Sequence, residues 1–143
     1  MRTLDDAEIS QLLSADLVAR LATIDEAGYP HITPVWFLWA DNTFYVTSYV
    51  DRPHLSRIRS NPRVGLVIDT EHKQRGDGER PNRQVRIIGD AAVSADSTGT
   101  WTRRIRRKYI DETLSPDAVE RGLHQGRALI TISPRQIRAV ASV

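Results

Sequence analysis

The sequence predicts a mainly β protein of the α+β class, built as a small antiparallel barrel of six strands with short helices around it. Three observations support this prediction. First, six segments are apolar and tolerate β structure, and short turns join the first three into consecutive hairpins. Second, strands and helices do not alternate regularly, which excludes a doubly wound parallel sheet. Third, 143 residues with 40% apolar and 27% charged side chains suit one folded domain over residues 1–143.

Each predicted element has a local signal. Thr3 followed by Asp6 is typical of a helix-capping box, and Asp51 before Pro53 indicates the start of a second helix. Regular alternation over residues 83–93 predicts the clearest strand. The predicted strands cover residues 17–24, 31–40, 43–48, 64–68, 83–93 and 128–132, the last extended by 137–140, and the predicted helices cover residues 4–13, 52–60, about 96–111 and about 115–122.

Two segments interrupt this pattern. Proline has no N–H for a strand ladder, so Pro34 predicts that residues 31–40 form an edge strand, a bulged strand, or a strand whose backbone faces something else. Residues 69–82 contain no strongly apolar side chain and carry Gly76 and Gly78. They predict a long polar loop that is either disordered or a lid.

Composition narrows the chemistry and the location. The absence of cysteine excludes disulfides, thiol nucleophiles and cysteine-ligated metals. There is no Walker phosphate loop and no G-x-S-x-G motif, and the four histidines form no local metal-binding pair. Residues 1–6 hold two acids and no apolar core of a signal peptide, and no apolar run reaches the length of a membrane span. We therefore expect a cytoplasmic protein that does not enter a membrane.

The strongest candidate site follows the third predicted strand. Thr47 and Ser48 place two hydroxyls at the strand end, Arg52 opens the next helix, and His54 lies within its first turn. Hydroxyls, a guanidinium and the free N–H groups of a helix N-terminus together favour phosphate binding. The alternative interpretation is an ordinary capped helix with a surface arginine.

Two further polar features are candidates for binding. Gln84 and Arg86 lie side by side on the polar face of the fifth predicted strand, where a ligand, a second subunit or solvent would satisfy them. A basic run on the third long helix suggests a nucleic-acid stripe. However, Trp101, Ile105 and Tyr109 recur every four residues, which favours the wet side of an amphipathic helix, as does the net charge of only +2. The run consists of Arg103, Arg104, Arg106, Arg107 and Lys108.

Taken in order, these segments resemble the pyridoxamine 5′-phosphate oxidase-like family of flavin- and deazaflavin-dependent split β-barrels. The resemblance extends over about residues 4–140 and lies in the stretches LATIDEAGYPHITPVWFLW, FYVTSYVDRPHLSRIRSNPRVGLVID and RQVRIIGDAAV. It implies a split barrel, a homodimer, and a cofactor held at the subunit interface.

The same resemblance implies roles for individual residues. Thr47, Ser48 and Arg52 would hold the cofactor phosphate, with His54 standing where many members have lysine. Gln84 would contact the flavin. The backbone that would face the ring belongs to Thr33, Pro34, Val35 and Trp36.

The resemblance also implies an oxidoreductase that transfers hydride between its cofactor and a small-molecule substrate. The RQV segment slightly favours FMN, whereas TPVWFLW and the P-x-L of the following helix favour the deazaflavin coenzyme F-420. True pyridoxamine-phosphate oxidases carry a C-terminal extension that this sequence lacks, so we do not expect efficient oxidation of pyridoxamine phosphate. Two other functions stay open: a flavin or tetrapyrrole binding protein without turnover, and a nucleic-acid binder acting through the basic run.

Overall fold

The computed structural model describes residues 1–78 and 81–142, and it confirms the mainly β, α+β class. The strands are β1 (Arg2–Thr3), β2 (Ala19–Ile24), β3 (Pro30–Val35), β4 (Leu38–Ala40), β5 (Thr43–Tyr49), β6 (Arg63–Glu71), β7 (Asn82–Ala95) and β8 (Arg127–Ser142). The helices are α1 (Asp6–Ser14), α2 (Pro53–Ser60) and α3 (Thr100–Tyr109). None of these helices is long and apolar enough to cross a membrane.

The strands form one antiparallel sheet whose two edges are joined by a very short connection. Its order is β3-β2-β6-β7-β8-β5-β4, with β1 paired to β8. β3 and β4 stand at opposite ends of this order, yet only Trp36 and Phe37 separate them. Three Cα steps of 3.8 Å reach at most about 11 Å, so the sheet must curl until its edges approach. The described residues form no ladder between β3 and β4. This gap between the two edges, which we call the seam, makes the sheet a split barrel.

The sheet contains more strands than the six predicted. The prediction of one continuous strand over residues 31–40 was wrong, because the chain turns inward at Phe37, which is 0% exposed. The backbone N–H of Phe37 donates to the Tyr109 hydroxyl instead of to a ladder. A short pairing of Arg2 and Thr3 with β8 adds the other unpredicted strand. The edge-strand interpretation of Pro34 is confirmed, since β3 ends the strand order.

β6 and β7 extend into the segment predicted as a polar loop. Their ladder continues to the pair Glu71 and Asn82, so the connection between them is shorter than residues 69–82. The prediction of disorder or a lid there includes residues 79 and 80, which lie outside the described residues.

Two of the predicted helix caps differ in the structure. α1 is capped by Asp5, whose carboxylate accepts from the Glu8 N–H at 2.8 Å, while the Glu8 carboxylate accepts from the Asp5 N–H at 3.2 Å. Thr3 does not cap, because it pairs with β8. The cap position of α2 is Arg52, without a side-chain cap, and not Asp51.

The region after β7 also differs from the prediction. α3 begins after Gly99, which has a φ of +71°. The buried Asp96 carboxylate accepts from the N–H groups of Trp101 and Thr102 at 3.2 and 3.0 Å. Residues 115–122 form turns, so the short helix predicted there was wrong. The Arg106 guanidinium binds carbonyl oxygens of this segment, which stabilises the turns from outside.

The core lies inside the curled sheet, closed by α1 and α2. Its largest fully buried side chains include Phe37, Phe44, Leu21 and Ile130. The long β7–β8 ladder shifts register between Ile88 and Gly89. The start of β8 also pairs with the end of β5, and the candidate site lies there.

Candidate functional site

One cavity, of about 640 Å³, brings together the C-terminal ends of β3 and β5, the first turns of α2, part of α3 and the start of β8. Eight of the nine predicted site residues line it. They are Thr33, Pro34, Val35, Trp36, Thr47, Ser48, Arg52 and His54. A wider depression of about 1000 Å³ elsewhere on the sheet contains none of the predicted residues.

Gln84 is the predicted residue that does not line this cavity. It lies half-buried on β7, where its side-chain amide donates to the Asn82 side chain at 3.1 Å. The resemblance puts the cofactor between two subunits. Contact of Gln84 with a cofactor bound in the cavity of a partner subunit therefore stays a prediction.

His54 and Ser48 are bonded to each other in the cavity wall. The Ser48 hydroxyl donates to the Tyr49 carbonyl at 2.9 Å, so it accepts from His54 Nε2, which lies 3.1 Å away. This arrangement assigns the ring hydrogen to Nε2. Burial, and then the nearby charges of Arg57 and Arg52, lower the pKa of His54. The imidazole is therefore neutral at pH 7 and positions Ser48; it does not act as the cation that a lysine would supply.

The cavity is strongly cationic. Among the residues that the structure describes, no aspartate or glutamate lines it and four arginines do. They are Arg52, Arg57, Arg106 and Arg127. Arg57 is held by a bond from its Nε to the Thr23 hydroxyl at 2.9 Å. Arg106 is held by bonds from Nη1 to the Val119 and Arg121 carbonyls at 2.8 and 2.6 Å. Two of the guanidiniums are thus anchored with their positive charge directed at one space.

Arg127 has no such anchor. Its Nε is buried and makes no hydrogen bond within the part of the chain that the structure describes. Its guanidinium carbon lies 3.7 Å from the centre of the Tyr49 ring, and that of Arg52 lies 5.5 Å from the same centre. Tyr49 and Arg127 are register partners on β5 and β8.

The sequence analysis did not single out Arg57, Arg106 or Arg127 as cavity residues. Arg57 follows His54 by three positions on one helix, so helical spacing gave a usable signal for it. Arg127 and Arg106 come from β8 and α3, which meet α2 only through the tertiary fold.

The last turn of α3 fixes the seam beside the cavity. The Tyr109 hydroxyl donates to the Leu17 carbonyl at 2.7 Å and accepts from the Phe37 N–H at 3.2 Å. Its ring stacks on Trp36 with centres 4.6 Å apart. Lys108 Nζ donates to the carbonyls of Leu13 and Phe37 at 3.1 and 3.0 Å. Burial lowers the pKa of Lys108 to about 8 and raises the pKa of Tyr109 to about 12.

The basic run on α3 is not a free cationic stripe, because four of its five side chains contact residues outside the helix. Arg103 pairs with Glu120, Arg107 pairs with Glu112, and Arg104 lies over the Trp101 ring. The interpretation as the wet side of a helix is correct for the exposed Arg104 and Arg107. It was wrong for Arg106 and Lys108, whose side chains point inward to backbone carbonyls.

A split barrel with an arginine-lined cavity beside its seam defines the structural class of this protein. The chain matches the family model described as pyridoxamine 5′-phosphate oxidase over residues 5–141, and it therefore belongs to that family. No curated protein sequence matches the chain significantly.

Solved structures share the fold at low sequence identity. A FAD-binding protein from Mesorhizobium loti is 24% identical, with a TM-score of 0.69 over 99% of this chain and 98% of that one. A putative 5-nitroimidazole antibiotic resistance protein from Bacteroides thetaiotaomicron is 16% identical, with a TM-score of 0.76 over 99% and 86% of the two chains. An F420 reductase is 22% identical, with a TM-score of 0.65 over 90% and 94%. At these identities the similarity shows the fold alone.

Proposed function

We propose that this protein binds a flavin-type cofactor in the cavity beside the seam and acts as an oxidoreductase on a small molecule. One observation carries the proposal: eight residues from separate segments that the family resemblance assigns to the cofactor converge on one cavity. Two of the similar structures are named as a FAD-binding protein and an F420 reductase, which supports a cofactor of this kind.

The residues present fit a cofactor that carries a phosphate. The Thr47 hydroxyl and the Arg52 guanidinium make no hydrogen bond within the described residues, so both retain donors for a phosphate. Ser48 is bonded to His54 and Tyr49, so it shapes the cavity wall beside those donors. Four guanidiniums, with no carboxylate among the described lining residues, also favour an anionic ligand.

The cofactor, when bound, supplies the hydride chemistry. The chain anchors the phosphate at Thr47 and Arg52 and presents the backbone from Thr33 to Trp36 to the ring. No carboxylate of the described residues lines the cavity and His54 is bonded to Ser48, so the described lining includes no free general base. Of the two cofactors, the RQV segment slightly favours FMN over coenzyme F-420.

A homodimer belongs to the same proposal. Gln84 lies outside the cavity of its own chain, so it can serve a cofactor only across a subunit interface. The large apolar side chains of Ile88 and Ile137 are 55% and 37% exposed on the neighbouring strands β7 and β8. Their burial in a dimer would remove apolar surface from water.

The test begins with an absorbance spectrum of the protein purified from a host that makes both cofactors, with the released ligand identified by mass. The apoprotein is then titrated with FMN and with coenzyme F-420. Arg52→Ala removes a charge-assisted contact, and we expect it to weaken binding by at least about tenfold. Arg104→Ala removes the same charge from the exposed side of α3 and should leave binding unchanged.

Three outcomes would count against the proposal. A colourless protein that takes up neither cofactor would refute cofactor binding. Equal affinities of the Arg52→Ala variant and the wild type would refute the phosphate anchor. A bound cofactor that no reductant reduces would favour a binding protein without turnover.

A further inference from the structure

The cavity has a second end, formed by α3 and the start of β8, that the proposed phosphate anchor does not use. Arg127 from β8 and Arg106 from α3 line it together with Thr102 and Ile105. The Arg127 Nε is buried there without a hydrogen bond among the described residues. A buried donor without a partner costs stability. Such a group is explained if a ligand satisfies it.

Neighbouring carboxylates do not neutralise this end of the cavity. Glu120 acts electrostatically on Arg106, but its two oxygens accept from Arg103 at 2.8 and 3.0 Å. The charge of Arg127 and burial both lower the pKa of Arg106, with burial the larger effect. The two guanidiniums therefore lie close enough to repel each other, and both lack an acid within the described chain that is free to pair with them.

Charge balance argues for more than one anionic group in the ligand. A phosphate monoester carries a charge of about −2 at pH 7. Four arginines line the cavity, so one phosphate at Arg52 leaves about two positive charges uncompensated.

The geometry allows one ligand to reach both ends. The guanidinium carbons of Arg127 and Arg52 lie 3.7 and 5.5 Å from the centre of the same Tyr49 ring. The two carbons are therefore at most about 9 Å apart, a distance that two acidic groups on one ligand can span.

We propose that Arg127 and Arg106 form a second anion subsite, which takes a phosphate or carboxylate of a ligand in the cavity whose first phosphate lies at Arg52. The inference rests on the proposed function and narrows its ligands to molecules with two separated acids. The second acid belongs either to the cofactor itself or to an anionic substrate bound beside it. In either case Arg127 contributes its buried Nε–H and Arg106 contributes the donors not used by Val119 and Arg121.

The experiment compares wild type, Arg127→Met and Arg104→Met by titration with three cofactors. FMN carries one phosphate, FAD carries two, and coenzyme F-420 carries a phosphate and carboxylates. For whichever of FAD and coenzyme F-420 the wild type binds more tightly, Arg127→Met should weaken binding at least about tenfold. The affinity of Arg127→Met for FMN should change less than about threefold. Arg104→Met should leave the affinities for all three cofactors unchanged.

A second arm detects an anionic substrate. FMN-loaded protein is titrated with inorganic phosphate and with succinate, and binding that Arg127→Met abolishes places the second acid on a substrate. The melting temperature of the ligand-free Arg127→Met protein shows whether the variant is folded, and a moderate decrease is expected because the substitution also removes the contact of Arg127 with the Tyr49 ring. If the methionine variant does not fold, Arg127→Lys replaces it, with an expected loss of about threefold or more.

The outcomes separate the subsite from the proposed function. Loss of FMN affinity by the same factor as FAD or coenzyme F-420 would place Arg127 in the first phosphate site and overturn the subsite. Tight FMN binding without any effect of Arg127→Met in either arm would also overturn it and leave the proposed function standing. Failure of all three cofactors to bind, with inorganic pyrophosphate binding that depends on Arg127, would refute the function and retain the subsite.

Discussion

Replacing Tyr109 with phenylalanine tests whether one hydroxyl holds the seam of the split barrel. That hydroxyl donates to the Leu17 carbonyl at 2.7 Å and accepts from the Phe37 N–H at 3.2 Å. Phenylalanine keeps the ring and its stacking on Trp36, which lies 4.6 Å away. The Tyr109→Phe variant therefore isolates the two hydrogen bonds from the packing of the ring.

The expected loss follows from what each partner does afterwards. Each net hydrogen bond is worth about 1 kcal/mol. Phe37 is 0% exposed, so its N–H cannot turn to water and costs about 1 kcal/mol more. Leu17 is partly exposed, so its carbonyl can find water. We expect the free energy of unfolding to fall by about 2–3 kcal/mol.

Urea denaturation at pH 7 measures this loss, and Tyr45→Phe is the matched control. Tyr45 also stacks, on Trp101 at 3.9 Å, but its hydroxyl makes no hydrogen bond within the described residues. Its variant should change the free energy of unfolding by less than about 0.5 kcal/mol. Hydrogen exchange at the Phe37 amide should accelerate only in the Tyr109 variant. Equal stability of the two variants, or unchanged protection of that amide, would refute the role assigned to the hydroxyl.

Three further predictions concern the frame of the site. Gly89→Ala would place a Cβ 2.5 Å from the Ser133 carbonyl oxygen, so we expect the free energy of unfolding in urea to fall by about 2–3 kcal/mol. Gly76→Ala, with open space around it, is the control, and equal effects would contradict the clash. Asp96→Ala removes the carboxylate that caps α3, so the free energy of unfolding should fall by about 2 kcal/mol in the same assay. A decrease of less than about 0.5 kcal/mol would contradict this role of Asp96. Burial holds the pKa of Lys108 at about 8, below its ordinary 10.5, so the unfolded chain binds that proton more tightly. The free energy of unfolding should therefore rise from pH 8 towards pH 10. Urea denaturation of Lys108→Met should show a smaller rise over the same pH range than wild type does.

The strands and most of the predicted site could be predicted because their signals are local. Alternation fixed the position of β7, and turn residues fixed the hairpin of β2 and β3. The prediction that residues 33–36 converge with Thr47 and Arg52 came from the family resemblance. The spacing along the sequence does not indicate that the ends of β3 and β5 meet. Their role toward a cofactor stays a prediction.

Features that depend on distant partners could not be predicted. Residues 31–40 look continuous because the break at Phe37 is stabilised by Tyr109, which lies 72 positions further along the chain. The sequence analysis assigned the helix cap to Thr3, but Thr3 pairs with Val140 and Asp5 caps the helix instead. Arg127 carries no local signal in the sequence, because it comes to lie beside Tyr49 only when β8 pairs with β5.

The two prolines of β3 affect how this protein meets other copies of itself. Pro30 and Pro34 are four positions apart, so their backbone nitrogens face the same side of the strand, and that side is the one turned away from β2. An incoming strand would find a single N–H there, that of Ile32, between two positions that have none. Such an edge is a poor template for a further strand. The β3 edge of the seam can therefore stay unpaired without readily adding a strand from another copy of the chain.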